Sequence, residues 1–570
     1  MNLNRKVAKI FEEIAKIYDF LGENPFRIRA YEKAALKISS LSEDLEKYVQ
    51  EDSLQKIPGI GKDLAGKIKE IYETGTLKQY EELKSKVPQD VLMMLNIAGL
   101  GPKKVKILYE KKNIRNIAEL EKAAREGKLR NLPGFGAKTE ENILKGIKFL
   151  HKSAGRIAIG TIYPTALALK KYLEEIPEIK KVDLVGSIRR FKETVHDIDI
   201  LVVTSNAAKV MERFVSFPDV EDVISKGEKK SSVIISGVQV DLRVFDEKSY
   251  GAAMMYFTGS KEHNIRMRDF CLSKKLKLNE YGLYKNEKRV AGKTEEEVYK
   301  YLGMQFIPPE IREDLGEIEL ALKKRLPKLV ELSDVKGDLH LHTSYSDGDS
   351  KIEDMIKAAM KRGYKYIAIT DHSPSLTVAK GMTEEKINKQ LEEIERLRRK
   401  YKEIKILTGI EVDILADGTL DLKDEILEKL DVVIAAIHTR FKMPKEEMTK
   451  RIIKAISHPA VNILAHPTGR LIGEREEYEI DIEEVLKTAA KNKVAIEINS
   501  YPMRLDFNAE NCRKAKKLGV LFAINTDSHS TDQLSYIEFG VKTARRGWLE
   551  KNNIINTLPY NELMKVLKKE

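Results

Sequence analysis

Residues 182–203 read VDLVGSIRRFKETVHDIDILVV. Two apolar runs, VDLVG and IDILVV, have the pattern of neighbouring β-strands. The second run begins with Asp197 and Asp199. Because side chains two positions apart leave a strand on the same side, the two carboxylates are predicted to share one face. A strand that collects negative charge on one face suggests a site for cations.

Two further stretches add chemistry to this predicted face. GVQVDLRVF (residues 237–245) is another alternating strand and carries Asp241. Gly186 and Ser187 can offer backbone and hydroxyl donors to a phosphate, and Arg190 adds a guanidinium. Three converging carboxylates beside a phosphate cradle predict a divalent-metal site, and hard oxygen ligands suit Mg²⁺. The alternative is that Asp197 and Asp199 lie on a solvated strand face. That alternative explains the two aspartates, but it does not explain Gly186, Ser187 and Asp241 near them.

Length and composition limit the class of protein. The chain has 570 residues, a formal net charge of +12, 42% hydrophobic residues and 33% charged residues. Three or more globular domains are therefore expected. With no apolar run of transmembrane length and no apolar segment behind Met1, we expect no membrane contact and a cytoplasmic location. The two cysteines, Cys271 and Cys512, lie far apart, which fits a reducing compartment.

A short glycine pattern occurs three times in residues 1–150, where 29 Lys and Arg outnumber 22 Asp and Glu. The copies are IPGIGK (57–62), IAGLGP (97–102) and LPGFGA (132–137), each before a helical pattern. Paired glycines permit a tight turn, and the following helix N-terminus favours phosphate. A glycine-capped turn would explain one copy, but three resemble the helix-hairpin-helix motif, which grips the DNA backbone without reading sequence. DNA contact is therefore predicted at Gly59, Gly61, Gly99, Gly101, Gly134 and Gly136.

The central blocks GSIRR…HDIDILV, VDLR and YFTGSKEHNIRMR…NEYGL resemble the X-family DNA polymerases, the group of DNA polymerase beta, across residues 1–320. The resemblance implies that Asp197, Asp199 and Asp241 bind catalytic Mg²⁺ or Mn²⁺, with Asp241 nearest the primer 3′-hydroxyl. It also implies gapped or primer-template DNA and a deoxynucleoside triphosphate (dNTP) as partners. Positions that match family residues around the nucleotide and template are Arg156, Gly186, Ser187, Arg190, Tyr256, Phe257, Gly259, Asn264 and Arg268.

Other family positions are matched or changed. Arg243 and Glu280 match residues that gate closure, whereas Lys261 stands where the vertebrate enzyme type has an acidic residue over the base. NPFRIRAYEKAALKI resembles the family's small N-terminal domain, in which a lysine can remove a 5′-deoxyribose phosphate. Lys67 falls on that lysine, and the Schiff-base step needs a neutral amine. Asp63 replaces a lysine common nearby, which weakens amine activation, and an ordinary surface lysine is the alternative.

The pattern changes after residue 335, where strands begin to alternate with helices. Seven apolar strands occur in GDLHLHT, YKYIAITDH, IKILTGIEVDI, DVVIAAIHT, VNILAHP, KVAIEINS and VLFAINTDSHS. This alternation predicts a βα-barrel. Seven of the ten histidines lie here, and six fall at or just after the C-terminal end of a strand, where barrels build their sites. The seventh, His458, is expected to be structural.

Mixed imidazole and carboxylate ligands suit Zn²⁺, Mn²⁺ or Fe²⁺. Nine candidates are too many for one ion, so a cluster of two or three divalent metals is predicted. Hydrogen-bonded packing is the usual role of a single strand-end histidine, but it does not explain six. The nine candidate ligands are His340, His342, Asp347, His372, Glu411, His438, His466, Asp527 and His529.

These landmarks, HLHTSYSDG, TDHS, GIEVDI, AAIH, LAHP and NTDSH, resemble the polymerase and histidinol phosphatase (PHP) domain. That domain is a distorted seven-stranded barrel with a trinuclear metal site. All nine expected ligand positions are occupied, which favours an active hydrolase. In the PolX type of X-family chain, found in bacteria and archaea, the resemblance implies Mn²⁺-dependent 3′→5′ exonuclease activity. Abasic-site incision and 3′-phosphate removal are related reactions.

The sequence thus predicts a multidomain α+β and α/β protein with helical N-terminal domains, a nucleotidyltransferase-type mixed-sheet palm and a C-terminal distorted (β/α)₇ barrel. The predicted function is a monomeric gap-filling polymerase of base excision repair fused to a DNA-end hydrolase. The alternatives are a DNA-binding protein in which only the PHP phosphoesterase is active, a scaffold with dead sites, and a small-molecule phosphatase. The predicted domains are 1–85 (helical, first hairpin), 86–150 (two further hairpins), 151–245 (palm), 246–315 (nucleotide-selecting), 316–335 (linker) and 336–570 (PHP barrel).

Overall fold

The computed structural model describes residues 3–39, 41, 45–95, 97, 100–136, 139–141, 143–144, 147 and 156–569. Gly99, a predicted DNA contact, lies outside these residues. The chain forms two compact units, Met1–Gly155 and Arg156–Glu570. Among the helices of the described ranges, none has the length and apolar character needed to cross a bilayer.

The N-terminal unit is helical. Its first helix buries Phe11, Ile14 and Tyr18, which recur at the three-to-four-residue spacing of one helix face. The ring of Tyr31 packs edge-on against Phe11 and Tyr18 at centroid distances of 5.3 and 5.7 Å. The helices are Leu3–Leu21, Pro25–Ser39, Leu45–Gln50, Lys62–Thr74, Lys78–Ser85, Gln89–Met94, Pro102–Lys112 and Ile117–Arg125.

The palm opens the second unit and contains seven strands and three helices. The strands are β1 (Ile157–Ala158), β2 (Ile179–Val185), β3 (Thr194–Val195), β4 (Asp197–Thr204), β5 (Val220–Lys226), β6 (Lys230–Ile235) and β7 (Val238–Phe245). The helices are Ile159–Glu174, Gly186–Arg189 and Ala207–Val215. Five of the strands form a mixed sheet of order β2-β4-β7-β6-β5. β4 and β7 are parallel, and the other neighbouring pairs in this sheet are antiparallel.

The next subdomain is a small α+β layer. Its helices are Tyr250–Thr258, Lys261–Ser273, Glu295–Tyr301 and Glu317–Leu322, beside the strands β8 (Lys277–Asn279), β9 (Gly282–Lys285) and β10 (Lys288–Ala291). Residues 316–335, predicted as a linker, are packed against the domains on both sides. Ile318 and Leu329 belong to the core of this subdomain, whereas Val330 belongs to the core of the barrel. The barrel and residues 156–315 are therefore one folded body.

The barrel has seven parallel strands in sequential order. A parallel bridge between Leu341 and Ser528 brings the first strand's extension to the end of the last, so the sheet is nearly closed. The predicted fold classes are therefore confirmed. The strands are β11 (Gly337–Asp338), β12 (Tyr366–Ile369), β13 (Lys405–Asp413), β14 (Val432–Ala436), β15 (Ile463–Leu464), β16 (Ala495–Asn499) and β17 (Phe522–Asn525). The helices are Ile352–Lys361, Glu384–Lys400, Asp424–Leu427, Lys445–Ile456, Ile482–Lys491, Ala509–Lys517, Ile537–Arg546 and Tyr560–Leu567.

Candidate functional site

The three predicted palm carboxylates lie on adjacent strands. The register of β4 and β7 pairs Asp199 with Asp241. Asp197 precedes Asp199 by two positions, with the fully buried Ile198 pointing to the opposite face. Gly186 has a φ of 70°, and a Cβ there would lie 2.9 Å from Asp199 Oδ2. Only glycine allows the turn after β2 to approach this carboxylate so closely.

The carboxylates of this site differ in how far neighbouring groups compensate their negative charge. Burial and the nearby charges of Asp197 and Asp241 raise the pKa of Asp199 to about 6. Burial alone would also raise the pKa of Asp241, but hydrogen bonds from Lys230, Ser232 and Gln239 outweigh burial and lower it. Carboxylates whose mutual repulsion raises a pKa are stabilised by a bound cation, and carboxylate oxygens suit Mg²⁺.

Asp241 is held by protein cations. Its Oδ2 lies 2.7 Å from Lys230 Nζ and 3.3 Å from an Arg243 guanidinium nitrogen. The three palm aspartates are not among the ligand groups of the described residues whose atoms all lie within 4.8 Å of one another. The backbone brings the three residues together, whereas the Asp241 side chain bonds to Lys230 and Arg243.

Three of the nine predicted nucleotide-binding residues, Tyr256, Asn264 and Arg268, line one pocket. Asn264 Nδ2 donates to the Tyr256 carbonyl at 2.6 Å, and Arg268 Nε donates to the Asn264 carbonyl at 3.4 Å. Phe257 lies behind Tyr256, with the Arg243 guanidinium 4.8 Å from its ring centroid. The pocket is lined by Ala252, Met255, Tyr256, Asn264, Arg268, Leu278 and Asn279.

The predicted phosphate-binding arginines make bonds within the protein. Arg190 donates to the Thr258 carbonyl, and its Nε lies 3.2 Å from Glu313 Oε1. Arg156 donates to the Thr194 hydroxyl at 2.9 Å. Gly259 has a φ of 67°, and a Cβ there would come within 3.1 Å of Arg190. Ser187 follows Gly186 in the short helix Gly186–Arg189.

The nine predicted barrel ligands gather at the C-terminal mouth of the barrel. They come from six of its seven strands, and His342 and His372 are each shared between two groups of close ligand atoms. His466 joins through its Nε2, which is 2.9 Å from Glu411 Oε1. The three groups, each with ligand atoms within 4.8 Å of one another, are His342–Asp347–His372–His529, His340–His342–Asp527 and His372–Glu411–His438.

The pKa shifts in this cluster run in both directions. Burial lowers the pKa of His342 to about 3, with help from His529 and His372, so the imidazole is neutral. Burial opposes ionisation of Glu411, but His438, His372 and His340 outweigh it and hold its pKa well below its usual range. The neighbouring carboxylates outweigh burial and raise the pKa values of His340, of His438 to about 10 and of His529 to about 9. Because a metal ion binds the neutral imidazole, binding at these three histidines would displace their protons.

In three of the histidines, a hydrogen bond at Nδ1 orients the imidazole ring. His340 Nδ1 lies 2.7 Å from Glu497 Oε1, and His438 Nδ1 lies 2.9 Å from Asp413 Oδ1. His529 Nδ1 lies 2.9 Å from the Asp527 carbonyl. A bond at Nδ1 leaves Nε2 to face the cluster, as in many metal centres. Glu497 and Asp413 are not predicted from the sequence, although each is a carboxylate within a buried apolar strand.

Unsatisfied atoms mark the same cluster. Nδ1 of His342 and Nδ1 of His466 are buried and have no hydrogen-bond partner within the described residues. His372 Nδ1 and Glu411 Oε2 lie 2.7 Å apart, but their geometry is not that of a hydrogen bond. Buried polar atoms are rarely left unpaired. The donor set and these orphaned atoms fit a multinuclear metal site. His458 lies outside the cluster and contacts Asp424.

The glycine hairpins have the geometry of backbone contact sites. Gly61 and Gly101 each precede a helix, and Gly59 and Gly134 have φ values of 91° and 78°. A Cβ built at Gly59, Gly61, Gly101 or Gly136 would meet no atom of the described residues within 4 Å. These backbones therefore face open space, where a phosphate has room to approach.

Lys67 lies in the same unit. Its Nζ is 2.5 Å from Asp63 Oδ2 and 5.2 Å from the ring centroid of Tyr31. Burial alone would lower the pKa of Lys67, but the bonds to Asp63 and Tyr31 outweigh burial and raise it. The ammonium form is thus favoured over the neutral amine that a Schiff base requires.

Four family descriptions match separate parts of the chain. The helix-hairpin-helix domain matches residues 2–77, and a SAM-like helix-hairpin-helix tandem matches residues 91–148. The DNA polymerase beta thumb matches residues 253–313. The PHP domain matches residues 338–501.

One relative spans the whole chain. The DNA polymerase/3′-5′ exonuclease PolX of Bacillus subtilis is 38% identical over 570 residues, which are 99% of either chain. The chain belongs to the PolX family. Other relatives match a shorter part of this PolX-family chain. Probable phosphatases of Thermoanaerobacter and Escherichia coli are 33% and 31% identical over 39% of this chain, and the aligned parts cover 89% and 90% of those proteins.

Proposed function

We propose that the chain fills short gaps in DNA during repair and that its PHP barrel removes nucleotides from DNA 3′ ends. The observation that carries the proposal is the presence of two separate sets of ligand side chains in one folded body. One set is on β4 and β7 of the palm, and the other is the nine-residue cluster of the barrel. Opposite chemical outcomes, synthesis and hydrolysis, then belong to separate centres.

In the proposed polymerase reaction, Asp197, Asp199 and Asp241 hold the catalytic cations, and Asp241 lies nearest the primer 3′-hydroxyl. Bound Mg²⁺ or Mn²⁺ would stabilise the attacking and leaving oxygens of an in-line displacement. Lys230 keeps Asp241 ionised before a cation arrives. Gly186 leaves room for Asp199, so the carboxylates stay together without steric strain.

The dNTP is proposed to bind between the palm and the thumb. Arg156, Arg190, Gly186 and Ser187 would contact its phosphates, so a triphosphate would replace Glu313 as the partner of Arg190. The remaining contacts, to sugar, base and template, are proposed for Tyr256, Phe257, Gly259, Asn264 and Arg268.

The barrel is proposed to be a phosphodiesterase acting on DNA 3′ ends. Mn²⁺, Zn²⁺ or Fe²⁺ held by its nine ligands would supply Lewis-acid activation of water and of the leaving oxygen. Glu497 and Asp413 orient His340 and His438, which fixes the ligand geometry. Because relatives that match 39% of this chain are probable phosphatases, removal of a 3′-phosphate is the second candidate reaction.

The helix-hairpin-helix glycines would supply a sequence-independent grip on the DNA backbone. Binding should then weaken steeply with salt, because phosphate contacts release counterions. A 5′-deoxyribose-phosphate lyase at Lys67 is proposed only as a weak activity, because Asp63 favours the protonated amine.

The test uses a one-nucleotide-gapped duplex with the full-length protein. Asp197→Ala should abolish extension with dNTPs and Mg²⁺ or Mn²⁺ while leaving 3′ degradation unchanged. His342→Ala should abolish 3′ degradation and leave extension. Loss of both activities in either variant would contradict the two-centre proposal. A protein in which only the PHP barrel is active would show no extension in the wild type.

A further inference from the structure

The loop of residues 500–507 runs past the mouth of the barrel and carries an arginine. Arg504 Nε lies 3.9 Å from Oδ2 of Asp527, one of the nine ligands, and the side chain is 16% exposed. Its Nη1 is buried and has no hydrogen-bond partner in the described part of the chain. A guanidinium with an unused donor therefore lies beside the ligand cluster. The guanidinium group is well suited to phosphate, because its fork of N–H groups matches phosphate oxygens.

A second arginine, Arg470, holds the backbone of this loop in place. Arg470 Nε donates to the Arg504 carbonyl at 2.8 Å, and its Nη2 donates to the Leu505 carbonyl at 2.5 Å. The same Nη2 lies 2.8 Å from Oε2 of Glu193. Glu193 belongs to the palm, between the predicted phosphate cradle and the β4 aspartates. Arg470 thus joins a palm carboxylate to the backbone that carries Arg504.

Apolar packing holds the same loop against the palm. Leu505 is 1% exposed and belongs to the core of the palm. A Cβ on Gly160 of the palm would come within 2.1 Å of Pro502 Cβ, so loop and palm backbones are in direct contact. The outer side of the loop rests on the palm, whereas Arg504 reaches toward the cluster.

We infer that Arg504 contacts the substrate phosphate in the barrel site and that Glu193 of the palm positions it through Arg470. The inference rests on the proposed hydrolase function of the barrel. Under it, the palm completes the nuclease centre, and Glu193 and Arg470 are positioning residues. The Arg504 donor that lacks a protein partner is then the donor available to a phosphate oxygen.

Bis(p-nitrophenyl) phosphate is the substrate of choice, because a small diester needs no grip from the helix-hairpin-helix domains. With the Mn²⁺-loaded full-length protein, Arg504→Gln should lower kcat/KM about a hundredfold, the usual effect of losing a donor to a reacting group. Glu193→Gln should lower it about tenfold. Metal content should equal that of the wild type. Guanidinium ion should restore activity to Arg504→Ala, a rescue that a purely structural role does not give.

The double variant separates positioning from independent effects. Because Glu193 acts through Arg504, Glu193→Gln should cause no further loss in an Arg504→Gln background. Glu247→Gln is the control, because this carboxylate follows β7, is exposed and pairs with Lys180 of β2 at the surface. Its rate should equal that of the wild type.

Three results would overturn the inference. Wild-type rates in Arg504→Gln would exclude the phosphate contact, and multiplied losses in the double variant would exclude positioning by Glu193. If added Mn²⁺ alone restored the rates of the Arg504→Gln and Glu193→Gln variants, both residues would act in retaining the metal. If the wild type hydrolysed neither this diester nor DNA 3′ ends, the proposed function itself would fail. The two failures are therefore distinguishable.

Discussion

Replacing Glu310 with glutamine is expected to destabilise the contact between the barrel and the thumb by about 3 kcal/mol at pH 7. Glu310 is 3% exposed, and its Oε1 lies 2.7 Å from Lys542 Nζ and 2.9 Å from Arg545 Nε, both on the barrel helix Ile537–Arg546. Burial would raise the pKa of Glu310, but these two cations outweigh burial and lower it from 4.5 to about 2. A difference of about 2.5 units, at about 1.36 kcal/mol each, gives this magnitude.

The pH dependence has a definite sign. A carboxyl whose pKa is lower in the folded state stabilises that state above its unfolded pKa, and the stabilisation disappears as pH falls through the folded value. The contribution of Glu310 should thus be complete above pH 5, fall to less than half at pH 3, and vanish below pH 2. The glutamine variant should lack this component.

The assay is urea denaturation of the full-length wild type and of Glu310→Gln, followed by circular dichroism at a series of pH values. The difference between the two free energies of unfolding should shrink as the pH is lowered. Glu247→Gln, which removes an exposed partner of Lys180, serves as the matched control and should not change stability. A wild-type minus Glu310→Gln difference that stays constant with pH would refute the reasoning.

Three further predictions concern the sites. Gly186→Ala should lower DNA extension about a hundredfold and leave 3′ degradation intact, because a Cβ would displace the Asp199 carboxylate. Primer-extension and 3′-degradation assays measure the two rates. Glu497→Gln should weaken Mn²⁺ binding about 10- to 100-fold, because His340 loses its orienting partner. The Mn²⁺ concentration needed for half-maximal 3′ degradation measures this loss of affinity. Asp63→Ala should lower the pKa of the Lys67 amine and increase borohydride-trapped adduct with 5′-deoxyribose-phosphate DNA, whereas an unchanged yield would refute this account.

The parts of the molecule that the sequence predicts best are those governed by short-range periodicity. Alternation predicts the strand around Asp197 and Asp199, and the positions of six histidines after strand ends indicate the barrel mouth. The glycine hairpins are equally local, since Gly61 and Gly101 each precede a helix. The strand, the strand ends and the hairpin turns each form within a short segment, so their sequence patterns predict them.

Pairs distant in sequence could not be predicted in this way. Glu193 and Arg470 are 277 positions apart, and Arg190 and Glu313 are 123 apart. In a chain with 33% charged residues, many carboxylates could pair with either arginine, and only tertiary packing selects one. Glu497 was missed for a different reason. Its strand reads as an ordinary buried strand, and a single carboxylate in it has no spacing pattern of its own.

The direct test of two separate cation centres in one chain is anomalous diffraction from crystals loaded with Mn²⁺. We expect two or three manganese peaks among the nine barrel ligands, centred on the groups that share His342 and His372. A distinct peak should lie beside Asp197, Asp199 and Asp241. Manganese bound only to surface carboxylates, with neither centre occupied, would contradict the account.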